Sequence, residues 1–104
     1  MSDLLNSSLK ENVLKLAFKI SRLDASCARD LKAEFTEIWK DGIQSVEIDF
    51  SKVEFIDSSG IGALLSVHKK LDPNQGGVLL LNVQSQVQAV IELLRLHRIF
   101  EIRN

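Results

Sequence analysis

One cysteine, Cys27, and one proline, Pro73, are all the chain has of either residue; tyrosine is absent, and five phenylalanines and one tryptophan supply its aromatic rings. A lone cysteine excludes an internal disulfide and a cysteine-based metal cluster, and the setting it implies is a reducing cytoplasm. A lone proline, with no low-complexity run and no repeat, leaves no linker to divide the chain. An excess of one charge is missing too, since 13 basic against 14 acidic side chains give a formal net charge of −1. Nucleic-acid binders carry a basic excess or stripe, so that class is set aside. No apolar run approaches the roughly 20 residues of a membrane span. The opening MSDLLNSSLKEN lacks a basic segment followed by an apolar one, so no secretory signal is expected. The two histidines, His68 and His97, stand far apart and outside any ligand spacing, so neither a metal nor another cofactor is expected.

What remains is an ordinary apolar share, 45% of 104 residues, enough for one domain (1–104) with a single modest core. LLNSSL (4–9) is a weak strand. VLKLAFKI (13–20) is a better one, Leu14, Leu16, Phe18 and Ile20 alternating with Lys15, Ala17 and Lys19, and the intervening KEN suits a hairpin turn. From Asp24 the period lengthens: Ala28, Leu31, Phe35 and Ile38 recur at helical spacing, with Asp24 as cap and Gly42 as stop. SVEIDF (45–50) returns to alternation, Val46, Ile48 and Phe50 facing inward. A second helix presents Ile61, Leu64, Leu65 and Leu71 and stops before DPNQGG (72–77). VLLLNV (78–83) is nearly all apolar, which predicts a strand buried on both faces. Ser85 with Gln88 forms a capping-box pattern before a helix carrying Val87, Val90, Ile91 and Leu94, and IFEI (99–102) closes as a short strand. The order β-β-α-β-α-β-α-β predicts an α/β domain. Its mixed sheet opens with an antiparallel hairpin and continues parallel through right-handed crossovers, with the helices mainly on one face.

The chemistry, if any, lies in FIDSSGIGALL (55–65). A nucleophile elbow needs Gly-x-Ser-x-Gly, and Ile56-Asp57-Ser58-Ser59-Gly60 lacks the first glycine. A histidine base is not at hand either, because His68 lies about ten residues along the following helix, roughly 15 Å. SSGIGA has no Lys-Ser/Thr pair, so it is no nucleotide loop. An ordinary cap explains more: Asp57, Ser58 and Ser59 all suit an N-cap. Two features exceed that role. Gly60 and Gly62 each cost a helix about 1 kcal/mol relative to alanine, and a cap needs only one side chain. Ser58, Ser59, Gly62, Ala63 and Ser66 also form a small-residue surface on which another protein can approach the backbone closely.

The run VEIDFSKVEFIDSSGIGALL resembles the STAS family, named for sulfate transporters and anti-sigma factor antagonists, and within it the small stand-alone bacterial antagonists. There, a buried strand leads through Asp-Ser-Ser/Thr-Gly-hydrophobic-Gly into the second helix. SRLDASCARDL is similar to the family's stretch leading into helix one, with Asp24 at its acidic position, and GGVLLLNVQSQVQAVIELLRLHRIFEI continues the likeness. Three places depart from the pattern. Ser21 and Arg22 replace the usual Gly and acidic or polar residue, so the loop before Asp24 is expected to differ. LLRLHRIF lacks the common glycine before the last strand. Relatives usually continue past the position of Asn104 into a C-terminal helix, and a partner surface built on it is expected to be missing.

The resemblance implies a regulator without catalytic activity. Unphosphorylated, such a protein binds a serine kinase that is also an anti-sigma factor. ATP-dependent phosphorylation of the motif's first serine, by position Ser58, ends the interaction, and a metal-dependent serine phosphatase restores it. The partner surface it implies comprises Asp24, Asp57, Ser58, Ser59, Gly60, Gly62, Ala63 and Ser66, on a cytoplasmic monomer without metal or cofactor. Two other roles fit a STAS domain: an unphosphorylated subunit docking on the ATPase of a lipid ABC transport complex, and a scaffold module of a signalling assembly.

Overall fold

The computed structural model describes residues 3–74 and 76–104. Strands β1 (Leu5–Lys10) and β2 (Val13–Phe18) form the hairpin, in antiparallel register from Leu5 opposite Phe18 to Lys10 opposite Val13. Glu11 and Asn12 turn it, with Glu11 in the left-handed region at φ 57°. The chain continues through β3 (Arg22–Leu23), α1 (Ala28–Ile38), β4 (Ser45–Asp49), β5 (Phe55–Ile56) and α2 (Ser58–Lys70). It ends through β6 (Val78–Leu81), α3 (Ser85–Leu93), a 3₁₀ turn at Leu96–Arg98, and β7 (Phe100–Arg103). Five strands make the main sheet in the order β1-β2-β4-β6-β7, every pairing after the hairpin being parallel.

Alternation along the strands decides which face is covered. Leu14, Leu16 and Phe18 of β2, Val46 and Ile48 of β4, Val78 and Leu80 of β6, and Phe100 of β7 are buried. Their neighbours Lys15, Glu47, Leu79 and Glu101 are half-buried or exposed. The helices meet the covered face with Leu31 and Phe35 of α1, Ile61, Leu64 and Val67 of α2, and Val87 and Ile91 of α3. One-sided cover explains a departure from expectation: Leu79 and Leu81 are only half-buried, so the apolar run in β6 is not buried on both faces. It lies between β4 and β7, whose side chains shield its open face in part. Leu65 is likewise half-buried beside the core while Leu64 is 1% exposed, so the two leucines are not equivalent.

Three caps differ from the expected ones. Helix α1 begins at Ala28, after Cys27 and without a side-chain cap. Asp24 caps the preceding turn instead, Oδ1 accepting from the Ser26 amide and hydroxyl and the carbonyl accepting from the Ala28 amide. The same helix already ends at Ile38, its Trp39 amide closing on the Phe35 carbonyl, and Gly42 (φ 93°) serves the turn into β4. Ser85 is the first residue of α3 and makes no cap, while Gln88 bonds Asn104 and Glu92 in place of closing a capping box. After Leu93 the chain swings away through Arg95 (φ 60°), which leaves Leu94 50% exposed.

One element had no forerunner in the sequence pattern. Strands β3 and β5 pair in parallel as a separate two-stranded ribbon, Arg22 opposite Phe55 and Leu23 opposite Ile56. The ribbon holds Arg22 in strand geometry, with the Ser21 carbonyl accepting from the Glu54 and Phe55 amides, and it feeds both α1 and α2.

Candidate functional site

The ribbon sets two acids side by side. Leu23 and Ile56 are paired, so Asp24 and Asp57 follow them on adjacent strands, and the Asp57 amide donates to the Leu23 carbonyl. Asp57 is extended (φ −127°, ψ −172°), and its Oδ1 accepts from the amides of Ser59 at 2.9 Å and Gly60 at 3.1 Å. That is a full N-cap for α2, a contribution of about 1 kcal/mol. With the cap supplied by Asp57, neither serine hydroxyl is needed for it. Ser58, the first residue of the helix, is exposed and Ser59 half-buried, and neither hydroxyl makes a hydrogen bond among the described residues.

The small residues of the motif divide into two sets. Gly60 is buried, and a β-carbon there would lie 2.0 Å from the Leu23 carbonyl oxygen, so only glycine lets α2 approach β3 this closely. Ala63 is fully buried. Both lie beneath the surface that Ser58, Ser59 and Gly62 present. Ser66 is half-buried and donates to the Ala63 carbonyl at 2.6 Å, which leaves it a small place in that surface.

Between α2 and α1 lies a groove of about 480 Å³. Ser58, Ser59 and Gly62 line one side, Ala25, Ala28, Arg29 and Lys32 the other. The Lys32 ammonium hangs over Gly62, 3.8 Å from where a β-carbon would stand. On the ribbon side, the Arg22 guanidinium stacks 4.1 Å above the ring of Phe55, and its Nε donates to Asp24 Oδ2 at 3.1 Å. Bonds from the Ser26 hydroxyl and amide, with Arg22 beside them, hold the Asp24 carboxyl below its usual range. Phe55 is 39% exposed beneath that guanidinium. From the other flank, Gln84 donates to the Ser51 carbonyl and Gln86 to that of Glu54, tying down the loop before β5.

Of the residues expected at the site, the structure therefore brings Asp24, Asp57, Ser58, Ser59 and Gly62 together. Arg22, Arg29, Lys32 and Phe55 join them unforeseen. Phe55 carried the one available signal, an aromatic directly before the capped turn.

The groove itself offers two hydroxyls and two cations, and none of its lining residues is a carboxylate or imidazole. His68 is committed elsewhere, its ring edge-on to Phe100 with centroids 6.1 Å apart. Among the described residues, no group of three or more His, Cys, Asp and Glu side chains converges as a metal site would need. No helix there is long and apolar enough to cross a membrane. A second cavity, about 520 Å³, opens between Ser45, Gly77, His97 and Arg98 at the N-terminal ends of β4, β6 and β7. Open parallel sheets place their functional surfaces at the opposite, C-terminal ends of the strands, and that is where Ser58 stands.

The sequence pattern of the STAS domain matches residues 8–104, nearly the whole chain. The chain belongs to the STAS domain family. An anti-sigma-B factor antagonist from Listeria monocytogenes is 30% identical to it over 89 residues, spanning 84% of this chain and 76% of that protein. An anti-sigma-factor antagonist (STAS) domain protein from Planctomyces limnophilus has the same fold at TM-score 0.84 and 20% identity, over 96% of this chain and 88% of that one. The Bacillus cell fate determinant SpoIIAA, in its phosphorylated form, superposes at TM-score 0.69 and 18% identity, over 96% and 91% of the two chains. As a STAS domain the chain has the architecture its pattern implied: an antiparallel hairpin opening a mixed sheet, and three helices, the second capped by the motif's aspartate.

Proposed function

We propose that this STAS domain is an anti-sigma factor antagonist that works as a partner switch through Ser58. In the unphosphorylated state it binds, as a monomer in the cytoplasm, a serine kinase that doubles as an anti-sigma factor. In the phosphorylated state it lets go. The observation that carries the reading is the Ser58 hydroxyl: exposed, unbonded among the described residues, and on a helix end already capped by Asp57. The name of the Listeria relative and the phosphorylated SpoIIAA of like fold support it.

In the forward step Ser58 Oγ bonds the γ-phosphorus of ATP as the bond to ADP breaks, and the hydroxyl proton passes to a base of the kinase. A metal-dependent serine phosphatase reverses the state by hydrolysis, releasing inorganic phosphate. On this reading the chain contributes an accessible acceptor and a surface. Phosphorylation adds close to two negative charges and three acceptor oxygens. A helix start tolerates that anion, so the domain stays folded. Like charges brought together at an interface cost several kcal/mol, so the partner leaves. Phe55 with Arg22 forms the exposed anchor of the same surface, since aromatic and Arg side chains dominate binding energy. Asp24 holds Arg22 in place.

The test is phosphosite mapping by mass spectrometry after incubation with the cognate kinase, ATP and Mg²⁺, followed by binding titrations. Phosphate is expected on Ser58. Ser58→Ala should stay in the binding state, and Ser58→Asp should bind more weakly. Phosphate on Ser59 alone would move the switch by one residue. Modification of neither serine, with normal binding by Ser58→Asp, would replace the switch with an unphosphorylated docking subunit.

A further inference from the structure

We propose that Arg29 and Lys32 hold the phosphate of phosphorylated Ser58 within the same molecule, so that modification fills and neutralises the groove between α1 and α2. The inference rests on Ser58 being the phosphoacceptor, as proposed above. Both cations line the groove opposite Ser58. Both are exposed, and neither side chain makes an ion pair or hydrogen bond among the described residues. Nearby acids are otherwise engaged: Asp57 accepts from the Ser59 and Gly60 amides, and Asp24 from Ser26 and Arg22. Asp30, beside Arg29, does not line the groove.

Geometry and chemistry agree on the occupant. Ser58 and Gly62 lie one turn apart on the same face of α2, about 6 Å along the axis, and the Lys32 ammonium already stands over Gly62. A lysine stem is flexible, and an arginine fork matches phosphate oxygens in pairs. Because Gly62 has no side chain, the space between the cations and Ser58 is open. Two positive charges face nearly two negative ones. The unmodified groove is open and doubly cationic, the modified one filled and close to neutral. Arg29 and Lys32 are thus withdrawn from any acidic side chain of a partner at the moment the phosphate arrives.

Phosphoserine installed at position 58 during translation gives the modified protein without a kinase. Failure of this inference is then separable from failure of the switch, which the kinase phosphosite map tests. Phosphorus-31 NMR titration reads the second ionisation of the phosphate, about pH 6 for an unassisted phosphoserine. In the native chain it is expected below that value. In the R29Q/K32Q double variant it should rise by about half a pH unit, as two exposed ion pairs are lost. K32R alone should keep the low value, since it retains both charges. The substituted positions are exposed, so melting temperatures should barely change. A double variant that titrates like the native chain, or a native phosphate titrating at the unassisted value, would overturn the proposal.

Discussion

Replacing Gly60 by alanine sets a methyl carbon against the strand that runs beneath α2. The new atom would stand 2.0 Å from the Leu23 carbonyl oxygen, 2.7 Å from its carbon and 2.9 Å from Leu23 Cγ. The two nearest are backbone atoms, so no change of rotamer relieves the contact. The helix has to lift from β3, straining the bond from the Asp57 amide to Leu23 and the Leu23–Ile56 pairing. Overpacking costs about 1–3 kcal/mol, and a clash with backbone belongs at the upper end. Alanine's better helix propensity returns about 1 kcal/mol, leaving a net loss of about 2 kcal/mol. Gly62 is the internal control. It lies in the same helix, and its added methyl would meet only the mobile Lys32 ammonium at 3.8 Å, an ordinary contact. Gly62→Ala therefore keeps the propensity gain of about 1 kcal/mol without a clash. In a domain of this size each kcal/mol moves the melting temperature by roughly 4–8 °C. Thermal unfolding followed by circular dichroism should show Gly60→Ala melting about 8–16 °C lower and Gly62→Ala about 4–8 °C higher. Equal shifts, or a Gly60→Ala protein as stable as the native one, would refute the close approach of α2 to β3.

Leu64→Asp should leave no folded protein, because it loses a leucine's packing, about 2–5 kcal/mol, and buries an unpaired carboxylate, against a total stability of about 5–15 kcal/mol. Leu65→Asp, at a half-buried position, should fold with a lowered melting temperature, and identical behaviour of the two would mean the helix is rotated. Asp57→Ala removes the two-amide cap and should cost about 1 kcal/mol in urea unfolding; no loss would show that the α2 amides are satisfied some other way. Acid should weaken the fold through two carboxyls lowered from their ordinary 3.8: Asp24, by its bonds from Ser26 and the charge of Arg22, and Asp49, where burial pushes up but bonds from Ser51 and Asn82 outweigh it. Lowered groups bind fewer protons folded than unfolded near pH 4, so their contribution is complete above about pH 4 and is lost as pH falls through the folded values. Urea midpoints should accordingly fall below pH 4, and less steeply in a D24N/D49N variant; equal slopes would remove both carboxyls from the account.

What the amino-acid pattern revealed depended on how far apart in the chain the cooperating residues lie. Leu14, Leu16 and Phe18, or Leu31 and Phe35, repeat at the spacing of one element against one core, so the elements could be read directly. Strands β3 and β5 have two residues each, too few for any period, and exist because they pair across more than thirty intervening residues. The caps obey the same distinction. Asp57 and the amides it binds are neighbours, and that cap was legible. Gln88 has a competing partner in Asn104, and no local pattern announces it. Gly60 and Gly62 look alike in the motif, yet a distant carbonyl, that of Leu23, makes the first indispensable for packing while the second only keeps a groove open. The candidate site follows suit. The Ser58 hydroxyl, the proposed acceptor, belongs to a contiguous motif, whereas Arg22, Arg29, Lys32 and Phe55 join the site only through the ribbon and the packing of α1 on α2. A contiguous Asp-Ser-Ser-Gly therefore supplies the cap of α2 and the glycine that packs on Leu23, while the side chains around Ser58 come from distant parts of the chain.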